Sequence, residues 1–340
     1  MKILNIQDSF EDSSQFWLGL REPNENQELF ELTHDDPRFK KVGKHYVFDN
    51  GEKYTLSMGK YIKMNNVSSV SRIDEDLILG YKDGSLSVYN ITSGENTKIP
   101  ECHFLDIEEI KVFPSKEVIL TRGLDNQIKL WSIKQWKNIR IMKSLFSSNV
   151  EFVGKGRNFL VGNKNGEVEM WECGSESIVY RFSKVKNKHD PVTVIKIIED
   201  HEDEGDDKEN EFETKGKSVI VGYESGEVRK FNLFTKQSTF LMNLASPITD
   251  LGFTTELIVG AQGKLLIGDK QLDLNDEIVK FKVSDHIYVY NGEETLLKIS
   301  KDLAEITYLV GLPEFFKVED MIIDSQLIVA SDYGIIMYEK

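Results

Sequence analysis

Seven stretches of this chain repeat one pattern at nearly even spacing, and that periodicity restricts the fold more than any other feature. They begin at 70–90 (VSRIDEDLILGYKDGSLSVYN), 110–132 (IKVFPSKEVILTRGLDNQIKLWS) and 150–172 (VEFVGKGRNFLVGNKNGEVEMWE). The fourth is split between 194–200 (VIKIIED) and 217–232 (KSVIVGYESGEVRKFN). The last three are 248–268 (ITDLGFTTELIVGAQGKLLIG), 278–299 (IVKFKVSDHIYVYNGEETLLKI) and 318–339 (VEDMIIDSQLIVASDYGIIMYE). Each reads as an alternating strand, a short polar turn, a strand apolar at nearly every position, a tight turn, and a third strand.

The tight turns are expected at Gly84, Asn126, Gly166, Gly226, Gly263, Gly292 and Gly334, separated by 42, 40, 60, 37, 29 and 42 residues. The long interval falls to about 40 when the insert at 199–213 is set aside, close to the propeller repeat of roughly 40–45 residues. Aromatic residues close the third strand at Tyr89, Trp131, Trp171, Phe231 and Tyr338. One small sheet cannot bury both of its faces, so such units must stack. Strands covered on both faces read as continuous apolar runs. The closing aromatics are then wedges between neighbouring sheets. The expected fold is all-β: a seven-bladed WD40-type β-propeller over residues 54–340, preceded by a small β-rich N-terminal domain over residues 1–53. The last blade lacks an outer strand, and 54–65 (YTLSMGKYIKMN) is the expected donor, with 2–6 as the other candidate.

The wording of particular blades is more specific than the period. FKKVG at 39–43 precedes the ring, and IKVFPS at 110–115 is followed by IKLWS at 128–132. GRN at 156–158, WECG at 171–174 and KNKHD at 186–190 come next, then KGKSVI at 215–220, Gly222, Ser225, Gly226 and NLFTK at 232–236. In this order, over about residues 39–240, the series resembles the proteasomal ATPase-associated factor family. The resemblance implies a WD40 assembly chaperone of the 19S regulatory particle. It implies no catalysis; no cofactor is expected, and the free thiols fit a cytoplasmic and nuclear location. It also implies binding to the C-terminal domain of a proteasomal ATPase subunit, alongside other base subunits and assembly chaperones. The chain departs from strong WD40 repeats in its closing pairs, Tyr89-Asn90, Trp131-Ser132, Trp171-Glu172 and Phe231-Asn232. No Gly-His pair precedes a first strand, and His189-Asp190 is the nearest analogue.

Charge narrows the partner. The net charge is −15, of which 199–213 (EDHEDEGDDKENEFE) supplies −9. Such a chain repels nucleic acid and anionic membrane and attracts basic surfaces. In a WD40 propeller one end is built from the loops before the first strand and between the second and third. There the sequence places Asp83, Asp106, Glu108, Glu109, Asp125, Asp190, Glu224 and Asp332. These are the candidate partner-binding residues, suited to a basic helical partner, although turns favour Asp for conformational reasons as well. The insert at 199–213 is expected on the opposite end and has the composition of a disordered segment. It suits histones, which leaves a scaffold role in a histone or chromatin complex as the alternative. Asp200, Glu202, Glu204, Gly205 and Glu211 fall at EF-hand-like spacing, but strands flank them, and calcium binding is not expected.

Other chemistry finds no support. Six histidines, at 34, 45, 103, 189, 201 and 286, show no metal-ligand spacing. Cys102 and Cys173 lack a nucleophile's surroundings and fit a reducing compartment. Gly154-Lys155-Gly156 is a turn, too short to cradle phosphate.

Overall fold

The computed structural model describes residues 2–7, 10–22, 25–183, 189–200, 212–277, 280–292, 295–313 and 316–339. The described residues form strands and one short 3-10 turn at Phe10–Asp12, with no α-helix among them. Their sheets repeat the blade of a WD40-type β-propeller. Most of the insert, 201–211, lies outside the described residues, as does 184–188, which includes 186–188 of the KNKHD segment. The chain divides into two compact units, Ser68–Phe253 and the pair of segments Met1–Val67 and Thr254–Lys340.

The first of these holds four antiparallel four-stranded blades, each a simple meander. Blade one runs Val67–Ile73, Asp76–Tyr81, Leu86–Asn90 and Asn96–Ile99. Blade two runs Ile107–Val112, Val118–Gly123, Gln127–Ser132 and Lys137–Lys143. Blade three runs Ser147–Val153, Asn158–Asn163, Val168–Glu172 and Ser177–Phe182, and blade four Val192–Glu199, Lys217–Tyr223, Glu227–Asn232 and Ser238–Asn243. The unit ends with Ile248–Phe253, the first strand of blade five.

Three apolar cores lie between successive blades, as stacking requires. Trp131 packs with Ile107 and Ile119 of its own blade and with Ile78 and Leu86 of blade one. Trp171 joins Phe159 and Val161 to Leu120, Ile128 and Leu130 of blade two. Phe231 joins Val219 and Val221 to Leu160, Val168 and Met170 of blade three. Removing such a buried aromatic side chain costs about 3–5 kcal/mol, part transfer and part cavity. Tyr89 differs: it is half-buried and stays outside the core that takes its neighbours Ile78 and Leu86. The turns obey the sterics read from the sequence. Gly84 (φ 79°) and Asn126 (φ 60°) both take the left-handed conformation that a tight hairpin demands.

The other unit departs from expectation in two places. A boundary is expected at residue 53, but the strand Lys53–Met58 begins there and pairs in parallel with Ile306–Val310 of blade six. Blade six (Lys280–Val283, Ile287–Tyr290, Leu296–Ile299, Ile306–Val310) is thereby extended by Lys53–Met58, His45–Asp49 and Phe39–Val42 into a seven-stranded sheet. The N-terminal three-stranded sheet (Ile3–Ile6, Gln15–Arg21, Glu28–Thr33) contributes Leu4, Phe16 and Leu18 to the core that holds Phe48, Phe281 and Leu297. Residues 1–53 are β-rich, and their apolar faces are covered by blades five and six.

The second departure is in blade five. The turn expected at Gly263 is absent, because Leu257–Ile267 continues through it as one strand with a register break between Gln262 and Lys264. The hairpin instead turns at Gly268 and Asp269 before Lys270–Glu277. Gly263 (φ 67°) marks a bulge, the other backbone task that calls for glycine. Blade seven (Val318–Ile323, Gln326–Ser331, Gly334–Glu339) receives its outer strand from Lys60–Lys63, which lies within the expected donor 54–65. The strand Ile3–Ile6, the other candidate, pairs with Gln15–Arg21.

Candidate functional site

In blades one to four, the loops before the first strands and between the second and third strands share one end of the sheets. Backbone hydrogen bonds tie them together. His103 donates its N–H to Gly84 O (2.8 Å), Leu124 to Asp106 O (2.9 Å), Ser144 to Asn126 O (3.1 Å) and Lys164 to Phe146 O (3.0 Å).

Five large apolar side chains stand out from these joined loops: Phe104 (83% exposed), Leu105, Leu124, Leu145 (68%) and Phe146 (62%). Single exposed hydrophobic residues are ordinary, whereas a group on adjoining loops makes this end a candidate interaction surface. The loops holding them are rigid for identifiable reasons. Asn126 accepts the Phe146 N–H on Oδ1 (3.2 Å), and Asp125 accepts the Phe104 N–H on Oδ2 (3.1 Å). Lys129 Nζ donates to Cys102 O (2.6 Å) and lies 5.8 Å from the Phe104 ring centre.

Beneath Phe104 runs a buried polar relay. Asp125 Oδ1 is 2.9 Å from His103 Nδ1, and His103 Nε2 is 2.8 Å from Thr121 Oγ1. Thr121 Oγ1 also accepts the Trp131 indole N–H (2.9 Å). A carboxylate only accepts, so the proton sits on Nδ1, and the threonine hydroxyl donates to Nε2. A neutral imidazole satisfies every member. A second imidazole proton would leave the threonine hydroxyl hydrogen without an acceptor. Burial pushes the His103 pKa below its ordinary value, against the pull of Asp125. For Asp125, burial acts upward, but the hydrogen bond from His103 and the N–H groups of Phe104 and Gln127 hold it below the usual carboxylate range.

This geometry redistributes the expected partner-binding carboxylates. Asp125, with a side chain only 5% exposed, is a clamp inside the blade and leaves the solvent-facing set. Asp190 is buried as well and accepts the N–H (2.9 Å) and hydroxyl (2.6 Å) of Ser225, linking two loops of blade four. Glu108 and Glu109 both pair with the buried Arg122, and Glu109 also accepts the Val150 N–H (3.0 Å). Asp106 is half-buried beside Leu105. Asp83 is exposed, pairs with Lys98 (3.2 Å) and braces its own turn by accepting the Ser85 N–H (2.9 Å). Glu224 is exposed. Asp332, in the other unit, accepts the Lys317 N–H (3.1 Å). Five of the eight therefore lie on loops of blades one to four, Glu108 and Glu109 lie in the first strand of blade two, and most hold loops in place.

The apolar side chains were the part missed from the sequence, although HFLD at 103–106 and SLFS at 144–147 put adjacent large apolar residues in loops between strands. His103 was missed as well, since its carboxylate partner lies 22 positions away.

Among the described residues no group of three or more His, Cys, Asp or Glu could hold a metal ion. Asp200, of the EF-hand-like series, is bonded to Lys230 (2.6 Å) and Ser218 (2.7 Å). Burial raises the thiols of Cys102 and Cys173 to about 11, so both are protonated at neutral pH. No helix among the described residues is long and apolar enough to cross a membrane. In the unit containing the N-terminus, a cleft of about 870 Å³ is lined by Trp17, Leu29, Tyr308, Leu312 and Phe316, with Arg21 and Glu31 at its edge.

No protein-family profile matches the chain. It is 29% identical over 219 residues to the 26S proteasome regulatory subunit RPN14 of Saccharomyces cerevisiae, covering 59% of this chain and 52% of that protein. It is 28% identical over 158 residues to eukaryotic translation initiation factor 3 subunit I of the same yeast, covering 45% and 44%. It is 24% identical over 159 residues to the yeast COMPASS component SWD2, covering 47% and 45%. The chain thus spans about half the length of the curated relatives it matches. The chain thus combines the blade architecture of a WD40-type β-propeller with similarity to a proteasome regulatory subunit and to subunits of other assemblies.

Proposed function

We propose that this chain is an assembly chaperone of the proteasome regulatory-particle base. In this reading the loop end of blades one to four binds the C-terminal domain of a proteasomal ATPase subunit, in company with other base subunits and assembly chaperones, in the cytoplasm and nucleus. It works by reversible capping: while held, the subunit is kept from docking prematurely onto the core particle. No bond is made or broken, and no cofactor is required.

The observation that carries the reading is the exposed apolar group Phe104, Leu105, Leu124, Leu145 and Phe146 on loops braced from beneath. The likeness to RPN14 supports the choice of a proteasomal partner. Interfaces draw most of their affinity from a few well-packed apolar or aromatic anchors, while rim charges steer encounter. The carboxylates expected at the site therefore act as supports and rim rather than as the main source of affinity, with Asp83 and Glu224 the ones open to a partner. The test is co-purification from cells, followed by binding to isolated ATPase C-terminal domains. Recovery of base intermediates and direct binding to one domain supports the reading. Association only with unrelated complexes refutes it.

The similarity to an initiation-factor subunit and a COMPASS component favours a second reading, a WD40 scaffold in another assembly such as a histone or chromatin complex. Deleting 199–213 separates the two. The deletion abolishes binding of basic histone-type partners through the acidic insert and leaves an ATPase contact at the loop end intact.

A further inference from the structure

A bare sheet edge pairs with other chains, so sheets blunt their last strands with bulges, lysines or proline. The blades follow that rule. The outer strands of blades two, three and four each join their neighbours across a bulge, at Leu130/Trp131, Met170/Trp171 and Val228/Arg229. Blade five ends in a bulged strand that begins with Lys270. The other outer strands are short: Asn96–Ile99 carries Lys98, Phe39–Val42 carries Lys40 and Lys41, and Lys60–Lys63 has a lysine at each end. The N-terminal sheet departs from the rule. Its last strand, Glu28–Thr33, pairs with 15–20 over six residues without a bulge, and ELFELT holds neither proline nor a cation. The opposite edge, Ile3–Ile6, lies against blade six, where the Tyr308 hydroxyl donates to Lys2 O (2.8 Å).

The Gln7 N–H goes to Trp17 O (3.0 Å) and the Trp17 N–H to Gln7 Oε1 (3.3 Å), so both main-chain groups of Trp17 face away from Glu28–Thr33. Glu31 stands opposite Trp17, and by alternation Leu29, Glu31 and Thr33 turn their N–H and C=O groups to the open side. Thr33 O accepts the Asp36 N–H (3.1 Å). Among the described residues no main-chain partner reaches Leu29 or Glu31 there. Both side chains are exposed and line the cleft beside Trp17. Residues 22–36 hold Glu22, Glu25, Glu28, Glu31, Asp35 and Asp36 and no Lys or Arg. Of the flanking cations, Arg38 is paired with Asp36 (2.9 Å), and Arg21 lies on the neighbouring strand.

We propose that Glu28–Thr33 accepts an added antiparallel strand from a basic segment of a partner protein, with an apolar residue opposite Leu29 and a basic residue opposite Glu31. Main-chain bonds to Leu29 and Glu31 supply affinity, and the alternate side chains supply specificity. Opposite charges directly across a strand pair are favourable, and like charges are not. Antiparallel self-pairing would crowd Glu28 and Glu31 of two copies onto one edge, which disfavours a second copy of this chain as the occupant.

The experiment titrates the full-length chain with a capped synthetic hexapeptide, Thr-Val-Lys-Val-Val-Lys, whose third and fifth residues stand opposite Glu31 and Leu29. Backbone N-methylation at those two residues removes the N–H groups that face the edge and weakens binding by about tenfold or more. N-methylation at the fourth residue, whose N–H faces solvent, changes affinity by less than about threefold. Replacing both peptide lysines with glutamate weakens binding by about tenfold at low salt. Amide exchange at Leu29 and Glu31 slows when the peptide is added, while Phe30, bonded within the sheet, is unchanged. Glu31→Lys weakens binding by about 3–10-fold, less at high salt, with a melting temperature within about 2 °C of wild type. Equal tolerance of N-methylation at all three residues means side-chain contact alone and overturns the added strand. Equal affinity for the glutamate peptide overturns the basic partner. No binding of the unmodified peptide at about 1 mM overturns the site. A chain that self-associates in sedimentation and loses that association in Leu29→Pro makes the edge an interface between copies and overturns the partner assignment.

Discussion

Replacing Asp125 with alanine tests whether the relay beneath Phe104 holds blade two together. The carboxylate accepts from His103 Nδ1 (2.9 Å), the Phe104 N–H (3.1 Å) and the Gln127 N–H (3.2 Å). The His103 side chain is fully buried, so Asp125→Ala leaves its Nδ1–H without water or protein to accept it. One such buried donor costs about 1–3 kcal/mol. The two backbone donors are nearer solvent and add less, for a total of about 3 kcal/mol. A cooperative unit of 150–250 residues loses about 2–4 °C of melting temperature per kcal/mol. The Asp125→Ala protein is thus expected to melt roughly 6–12 °C below wild type by scanning calorimetry. Asp125→Asn retains an acceptor for His103 but turns an amide toward the Phe104 N–H, and falls between the two. A melting temperature for Asp125→Ala within about 2 °C of wild type would refute the relay as a stabilising element.

Three further outcomes follow from the same region. His103 is held neutral in the folded chain, so its contribution is complete above the unfolded value of about 6.5 and declines as pH falls through that value toward the lower folded one. Melting temperature therefore falls between pH 7.5 and 5.0, and His103→Gln flattens that slope; an unchanged slope in the variant contradicts the assignment. Arg122, with a side chain 6% exposed, holds Glu108, Glu109 and Ser147 O, and Arg122→Ala costs about 3 kcal/mol because Glu109 is left without its guanidinium partner. Urea unfolding measures this, and a loss below about 1 kcal/mol counts against it. A Cβ at Gly84 would lie 2.1 Å from His103 O at φ 79°, so Gly84→Ala destabilises by at least about 1–3 kcal/mol. In a double-mutant cycle its effect is non-additive with Asp125→Ala, since both displace the His103 segment; strict additivity argues against that shared route.

The blade repeat was legible because its signals are local. Alternation, a run such as VIVGY and a turn such as ESGE carry their meaning within a few residues, and Asn126 takes its positive φ where the pattern required it. Three features were not legible, each because it depends on contacts remote in sequence. Gly263 reads as a hairpin turn, yet the strand continues through it, and a bulge and a turn make the same demand on backbone conformation. The strand Lys53–Met58 pairs with Ile306–Val310 more than 240 positions away, so nothing near residue 53 announces that it joins blade six. His103 lacks a preceding glycine, so the Gly-His pattern misses it, while His189 beside Asp190 drew the comparison instead.

The candidate site was half legible for a related reason. Acidic residues in turns are easy to find, and Asp83, Asp106, Asp125, Asp190 and Glu224 do occupy loops at one end of blades one to four, whereas Glu108 and Glu109 fall in a strand. Whether a given carboxylate faces solvent or clamps a neighbouring loop depends on donors supplied by other strands. Arg122 engages Glu108 and Glu109, Ser225 engages Asp190, and His103 engages Asp125. The apolar residues that remain exposed are in sequence indistinguishable from core residues a few positions away, such as Ile107 and Ile128.

The measurement closest to the central claim is purification of the intact chain from cells, with bound proteins identified by native mass spectrometry and compared between wild type and F104A/F146A. Wild type is expected to recover proteasomal ATPase subunits in base intermediates free of the core particle, and the double variant to lose them. Equal recovery of those subunits by both proteins, or capture of an unrelated assembly alone, would contradict it.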